Sequence, residues 1–214
     1  CALPRRQRRH GLGRHGQVSL PERRRCVAPP TPFVQGRAVE GGAVEGAGVA
    51  EGDVVARRVL PDANYEVVPR SAWGAAPLRE NHDPMAGVRR ITVHHTAELP
   101  AMTTRTDLEL VKGVQRFHQD DRGWADIGYH FLIGRDGRVY QGRELHIQGA
   151  HAGGGNNVEN LGVSVIGDFS AGLPQEATLA SLERFLAHQM ALHEVAADQV
   201  FGHREFKATA CPGD

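Results

Sequence analysis

The chain has 214 residues, 40% of them hydrophobic, and a formal net charge of zero. That length can bury one good core, and no run of about 18 apolar residues offers a membrane span. Neutrality hides an asymmetry, because residues 1–26 carry eight Arg against one Glu, or +7, which leaves −7 for residues 27–214.

The basic segment lacks hydrophobic periodicity and is expected to be a tail without ordered structure. Its alternative role is binding to an anionic polymer or nucleic acid. No aromatic residue interleaves with the arginines to form a stacking platform, and the body is acidic, so no nucleic-acid partner is expected. Lys112 and Lys207 are the only lysines, a compositional habit attributed to the source, which we expect to be bacterial. Cys1, Cys26 and Cys211 are too few and too scattered for a disulfide framework, which leaves Cys211 free for a metal. No charged-then-apolar secretory signal is visible. A mature lipoprotein also begins with Cys, but the arginines behind Cys1 lend that little support. Residues 27–64 hold a proline cluster and then a Gly/Ala/Val/Glu-rich stretch, without side chains large enough to offset ordering entropy. This reads as a linker, so residues 1–64 are expected to precede a single domain at 65–214.

Within that domain, Arg89–His95 reads as a strand, with Ile91 and Val93 on one face and Thr92 and His94 on the other. Thr106-Asp-Leu-Glu109 is a capping box that opens a helix to about Asp121, with Leu110, Val114 and Phe117 on one face and Gly123 as its stop. Tyr129–Gly134 and Arg138–Gly142 flank Asp136-Gly137, a hairpin turn signal. Gly149–Asn160 is a Gly- and Asn-rich loop, and Leu161–Gly167 is an almost continuously apolar, buried strand. Pro174 leads a helix to about Val195, whose Leu179, Leu182, Leu186 and Met190 recur at core-facing spacing. The fold class is therefore α/β: a central mixed β-sheet flanked by helices.

Two features point to chemistry. His94-His95 closes the first strand, and His203 and Cys211 sit eight residues apart in a turn-rich tail. Two imidazoles and a thiolate form a zinc set that leaves a fourth position open, as catalysis requires. Loops carry binding groups more often than cores do, so His151 and Asn157 are candidate substrate contacts, with water-facing loop residues as the bland reading. His118, His130, His188 and His193 lie within predicted elements and need no function.

Ser71-Ala-Trp-Gly74, Val93-His-His-Thr96, Gly128-Tyr-His-Phe131, Arg135–Gly142, Gly149-Ala-His-Ala152, Leu161–Gly167, Gly202-His-Arg204 and Ala210-Cys-Pro-Gly213 follow one another in a familiar order. This series resembles peptidoglycan recognition proteins and the related bacterial and phage zinc amidases, over about residues 66–214. The resemblance implies a Zn²⁺ held by His94, His203 and Cys211, with His95 structural, and Tyr129 as the catalytic tyrosine. It implies hydrolysis of the bond between N-acetylmuramic acid and L-alanine in peptidoglycan or muropeptide by a monomeric, secreted or cell-envelope protein. Thr209 stands where phage and cytosolic amidases carry Lys and where recognition-protein amidases carry Thr; it could place the attacking water or contact the oxyanion. Ser164 stands where some amidases carry a catalytic Glu. The helix-linking cysteine pair of animal members is absent. Family members continue past the point reached here three residues after Cys211, so an incomplete C-terminus is expected. The alternative is a peptidoglycan-binding module without catalysis; such modules typically replace the cysteine ligand, which is present here.

Overall fold

The computed structural model describes residues 63–213, so the expectations for the basic tail and nearly all of the linker lie outside the described residues. Six strands form one mixed sheet: β1 (Val67–Val68), β2 (Arg90–His95), β3 (Phe131–Ile133), β4 (Val139–Gln141), β5 (Asn160–Val165) and β6 (Val200–Gly202). Their spatial order is β1-β4-β3-β5-β2-β6, and only β3 and β4 run antiparallel. Two long helices, α1 (Asp107–Arg116) and α2 (Glu176–His193), cover opposite faces. The expected mixed sheet flanked by helices is what the chain forms.

The local signals explain most of the elements. Thr106 Oγ1 accepts from the Glu109 N–H while the Glu109 carboxylate accepts from the Thr106 N–H, closing the capping box at the start of α1. Gly123, at φ 68°, ends the helical run after a five-residue π-helical segment, Phe117–Asp121. Gly137, at φ 82°, makes the turn between β3 and β4.

Parity along the strands separates two cores. Ile91, Ile133, Val139, Leu161 and Val163 face α2 and pack around Phe185. Leu132 and Tyr140 face α1 and pack with Leu110, Val111 and Val114. His94 and Ser164 are direct neighbours across β2 and β5, and Ser164 neighbours Leu132 on β3, so both belong to the α1 side. That face carries the site. Both faces of β2 are covered: Ile91 and Thr92 are fully buried, and His94 is 1% exposed.

Two helical faces differ from expectation. The buried line of α1 and its extension runs through Val111, Val114 and His118, so Phe117 falls at its edge and stays 45% exposed on the cleft side. In α2 the buried line is Thr178, Ser181, Phe185 and Gln189, one residue ahead of the leucine stripe. Leu182, Leu186 and Met190 flank the core. The reason is polar: the Thr178 hydroxyl donates to the Arg135 carbonyl (3.0 Å) and the Ser181 hydroxyl to the Gly137 carbonyl. The β3–β4 hairpin turn leaves carbonyls facing α2, and small hydroxyl residues satisfy them.

Candidate metal centre and cleft

His94, His203 and Cys211 come together although the first two are 109 positions apart. Their ligand atoms all lie within 4.8 Å of one another. β2 brings His94 to the end of the sheet, and His203 opens a short 3₁₀ turn directly after β6, the strand beside β2. Cys211 follows on the next turn, where its N–H donates to the Thr209 hydroxyl at 3.2 Å. The Cys211 Sγ to His94 Nδ1 distance is 3.6 Å. Tetrahedral zinc with a sulfur at about 2.3 Å and a nitrogen at about 2.0–2.1 Å sets those two atoms about 3.6 Å apart. The donor set and this spacing fit zinc.

The electrostatics fit as well. Burial, and then the neighbouring His151, His203 and His95, hold the His94 pKa well below its ordinary value; burial, and then Lys207, lower that of His203. Neutral imidazoles are what a metal needs as ligands. Burial raises the Cys211 thiol, and the His95 N–H, which donates to Sγ at 3.3 Å, and Arg204 oppose it. A backbone donor on sulfur supports the charge a thiolate ligand carries. His95 itself points away: its Nδ1 accepts from the Phe169 N–H at 3.1 Å, so its role is structural.

His203 of the cluster lines a cleft of about 770 Å³, walled by α1 with its π-helical extension and by the loop carrying His151, while His94 and Cys211 are buried behind it. Tyr129 lines it, with its ring 5.2 Å from that of His94. Burial, then Cys211, push the Tyr129 phenol up to about 12. Ser164, fully buried beside His94, lies close enough to lower the Tyr129 pKa slightly, yet its hydroxyl meets no partner at hydrogen-bonding geometry.

The expected contacts divide. His151 and Asn157 line the cleft, but neither is the free loop residue that the glycines around them suggest. His151 is 8% exposed and both of its ring nitrogens are engaged within the protein. The Asn157 Oδ1 accepts from the His151 and Ala152 N–H groups at 2.9 and 2.8 Å. Thr209 is exposed, does not line the cleft, and uses its hydroxyl on the turn that presents Cys211. Sequence reasoning passed over Phe117, His118, Arg122 and Trp124, which form the far wall. Arg122 lies over both aromatic rings, 5.1 Å from the Phe117 centroid and 5.9 Å from that of Trp124. The signal available was a loop tryptophan directly after the Gly123 stop. His130 is structural as expected: its Nδ1 accepts from the Gly162 N–H and its Nε2 faces the Ile147 carbonyl.

Residues 83–214 match the model of the N-acetylmuramoyl-L-alanine amidase family, amidase type 2. The chain belongs to that family. Within the amidase family, it is 40% identical over 153 residues to the pig (Sus scrofa) N-acetylmuramoyl-L-alanine amidase, covering 68% of this chain but 25% of that protein. It is 32% identical over 148 residues to peptidoglycan-recognition protein SC2 of Drosophila simulans, covering 69% of this chain and 80% of that one. Among solved structures, Drosophila peptidoglycan recognition protein SD superposes with a TM-score of 0.64 at 32% identity, covering 70% of this chain and 89% of that one. Peptidoglycan recognition protein LE, solved in complex with tracheal cytotoxin, a monomeric diaminopimelic acid-type peptidoglycan, superposes at 0.62 and 33% identity, over 69% and 87% of the two chains. The curated relatives named here are animal proteins, which does not support the bacterial source expected from the sequence. Among the described residues, no helix is long and apolar enough to cross a membrane.

Proposed function

We propose that this amidase-family chain is a zinc-dependent N-acetylmuramoyl-L-alanine amidase that cuts the bond between muramic acid and L-alanine in peptidoglycan or muropeptides. The observation that carries the reading is the His94–His203–Cys211 cluster, whose His203 lines the cleft, with the 3.6 Å sulfur–nitrogen spacing that zinc requires. When bound there, zinc acidifies a coordinated water from about 15.7 towards 7 and polarises the amide carbonyl.

The chain's own groups supply the rest. With its pKa near 12, Tyr129 stays protonated at neutral pH, so it serves as a hydrogen-bond donor rather than a base. Its place beside His94 suits donation to the oxyanion of the tetrahedral intermediate. The exposed aromatic face of Phe117, Trp124 and the Arg122 guanidinium offer a wall for a stem peptide. Thr209 acts through the Cys211 turn instead of touching substrate. Ser164, not a carboxylate, stands beside His94 across β2 and β5, so no Glu at that position serves as a base.

Recognition without turnover is the second reading, favoured by the likeness to recognition proteins solved with tracheal cytotoxin. The two readings part at the cysteine. Purified protein never exposed to chelator is expected to carry about one zinc per chain by elemental analysis, and Cys211→Ser to carry far less and to lose turnover while still binding muropeptide. Wild-type protein without tightly bound zinc overturns the enzyme reading.

A further inference from the structure

His151 lines the cleft, yet its ring is committed inward. Its Nδ1 lies 3.0 Å from His94 Nε2, and its Nε2 lies 3.1 Å from the Asn160 backbone carbonyl. Hydrogen-bond logic then fixes every proton along the row. A carbonyl only accepts, so His151 Nε2 must carry hydrogen. A buried imidazole with no acidic partner is neutral and has one such hydrogen, so its Nδ1 is bare and accepts. The hydrogen between the two rings therefore belongs to His94 Nε2. That leaves the lone pair of His94 Nδ1 aimed at the cluster, 3.6 Å from Cys211 Sγ.

We propose that His151 is a positioning residue, which holds His94 in the one tautomer and orientation that present Nδ1 to a metal, with the Asn160 carbonyl as the end stop of the row. The proposal rests on the reading of His94 as a ligand and deepens it. Metal-bound histidines generally donate their second N–H to a fixed acceptor. Here the acceptor is another histidine instead of a carboxylate or carbonyl.

The surroundings are built for that ring. A Cβ on Gly162 would meet His151 Cδ2 at 2.5 Å, and one on Gly149 would meet it at 2.6 Å, so both glycines clear space for the imidazole. Asn157 pins the His151 backbone through Oδ1. Asn160 is itself held, donating from Nδ2 to the Asn156 carbonyl at 2.7 Å and accepting at Oδ1 from the Thr92 hydroxyl at 3.0 Å. A ring meant to read substrate through hydrogen bonds would keep a nitrogen open to the cleft; this one keeps none.

The test combines zinc affinity with tautomer state. Competition with a chromophoric chelator is expected to show zinc binding weakened 10–100-fold in His151→Leu, which has no acceptor. In His151→Asn the side-chain oxygen can take the place of Nδ1, and most of the affinity is expected to return. In wild-type zinc-free protein, long-range ¹H–¹⁵N spectra are expected to show both His94 and His151 protonated at Nε2 and bare at Nδ1, a reading that needs no substitution and stands if a variant fails to fold. Unchanged zinc affinity in folded His151→Leu overturns the proposal, as does hydrogen on His94 Nδ1, or equal losses in the Leu and Asn variants. Wild-type protein that binds no zinc overturns the ligand reading itself, which is a different result from tight zinc binding that ignores position 151.

Discussion

At the scale of single residues, the site is an arrangement of groups whose neighbours decide what each can do. In the proposed reaction Tyr129 is a donor only, since burial raises a phenol already protonated at neutral pH further, to about 12. Tyr129→Phe removes one hydroxyl and little packing, so fold and zinc content should persist while turnover falls about 10²-fold or more, roughly the worth of one oxyanion donor. Full activity in that variant would make the tyrosine structural. His94, His203 and Cys211 were legible from the strand-end His-His block, the His203 and Cys211 of the turn-rich tail, and the family resemblance that picks His94 over His95. What sequence could not show was that His151 and Asn157 are engaged by their neighbours. Glycine content suggested a free loop, whereas the glycines at 149 and 162 are there to admit an imidazole. Thr209 was likewise placed by motif position, and the turn in which its hydroxyl meets the Cys211 N–H lay beyond that.

Secondary-structure elements were read well where a local signal exists and less well where a partner decides. The capping box at Thr106 and the Asp136-Gly137 turn are short-range devices, and both formed where expected. The buried face of α2 depends on what lies opposite, and the hairpin carbonyls draw Thr178 and Ser181 inward at the expense of the leucines. This has a measurable consequence. Phe185 is fully buried among residues from β2, β3, β4 and β5, so Phe185→Ala should destabilise the domain by about 3–5 kcal/mol. Leu179→Ala, at a half-buried flank, should cost about 1 kcal/mol or less, although spacing alone ranks it with the core. Equal losses in denaturant titration would restore the leucine stripe as the packing face.

For the molecule as a whole, the buried histidines couple folding to pH. Burial lowers His118 and His130 to about 4 from an ordinary value of 6.5. Their folded pKa values lie below the unfolded one, so the unfolded chain binds protons first as pH falls. Stability is full above about 6.5 and is lost progressively towards 4. Each histidine is worth about 2 kcal/mol between pH 7 and pH 5, at about 1.4 kcal/mol per pH unit. Denaturant titrations of chelated protein at those two values should therefore differ by several kcal/mol, and a flat profile would contradict the burial argument. The order of the blocks in sequence was enough to give the fold and the family, because each block marks a strand end or turn that the sheet brings to one place. The cleft's far wall escaped because Phe117 and Trp124 are ordinary core residue types until the sheet shows which side of them is open. Hydrolysis itself is read most directly from the product. Zinc-loaded protein incubated with a defined muropeptide should release, by mass spectrometry, stem peptide with a free L-alanine amino group, and chelated protein should release none. A zinc-loaded protein that binds the muropeptide and leaves it intact would contradict the amidase account.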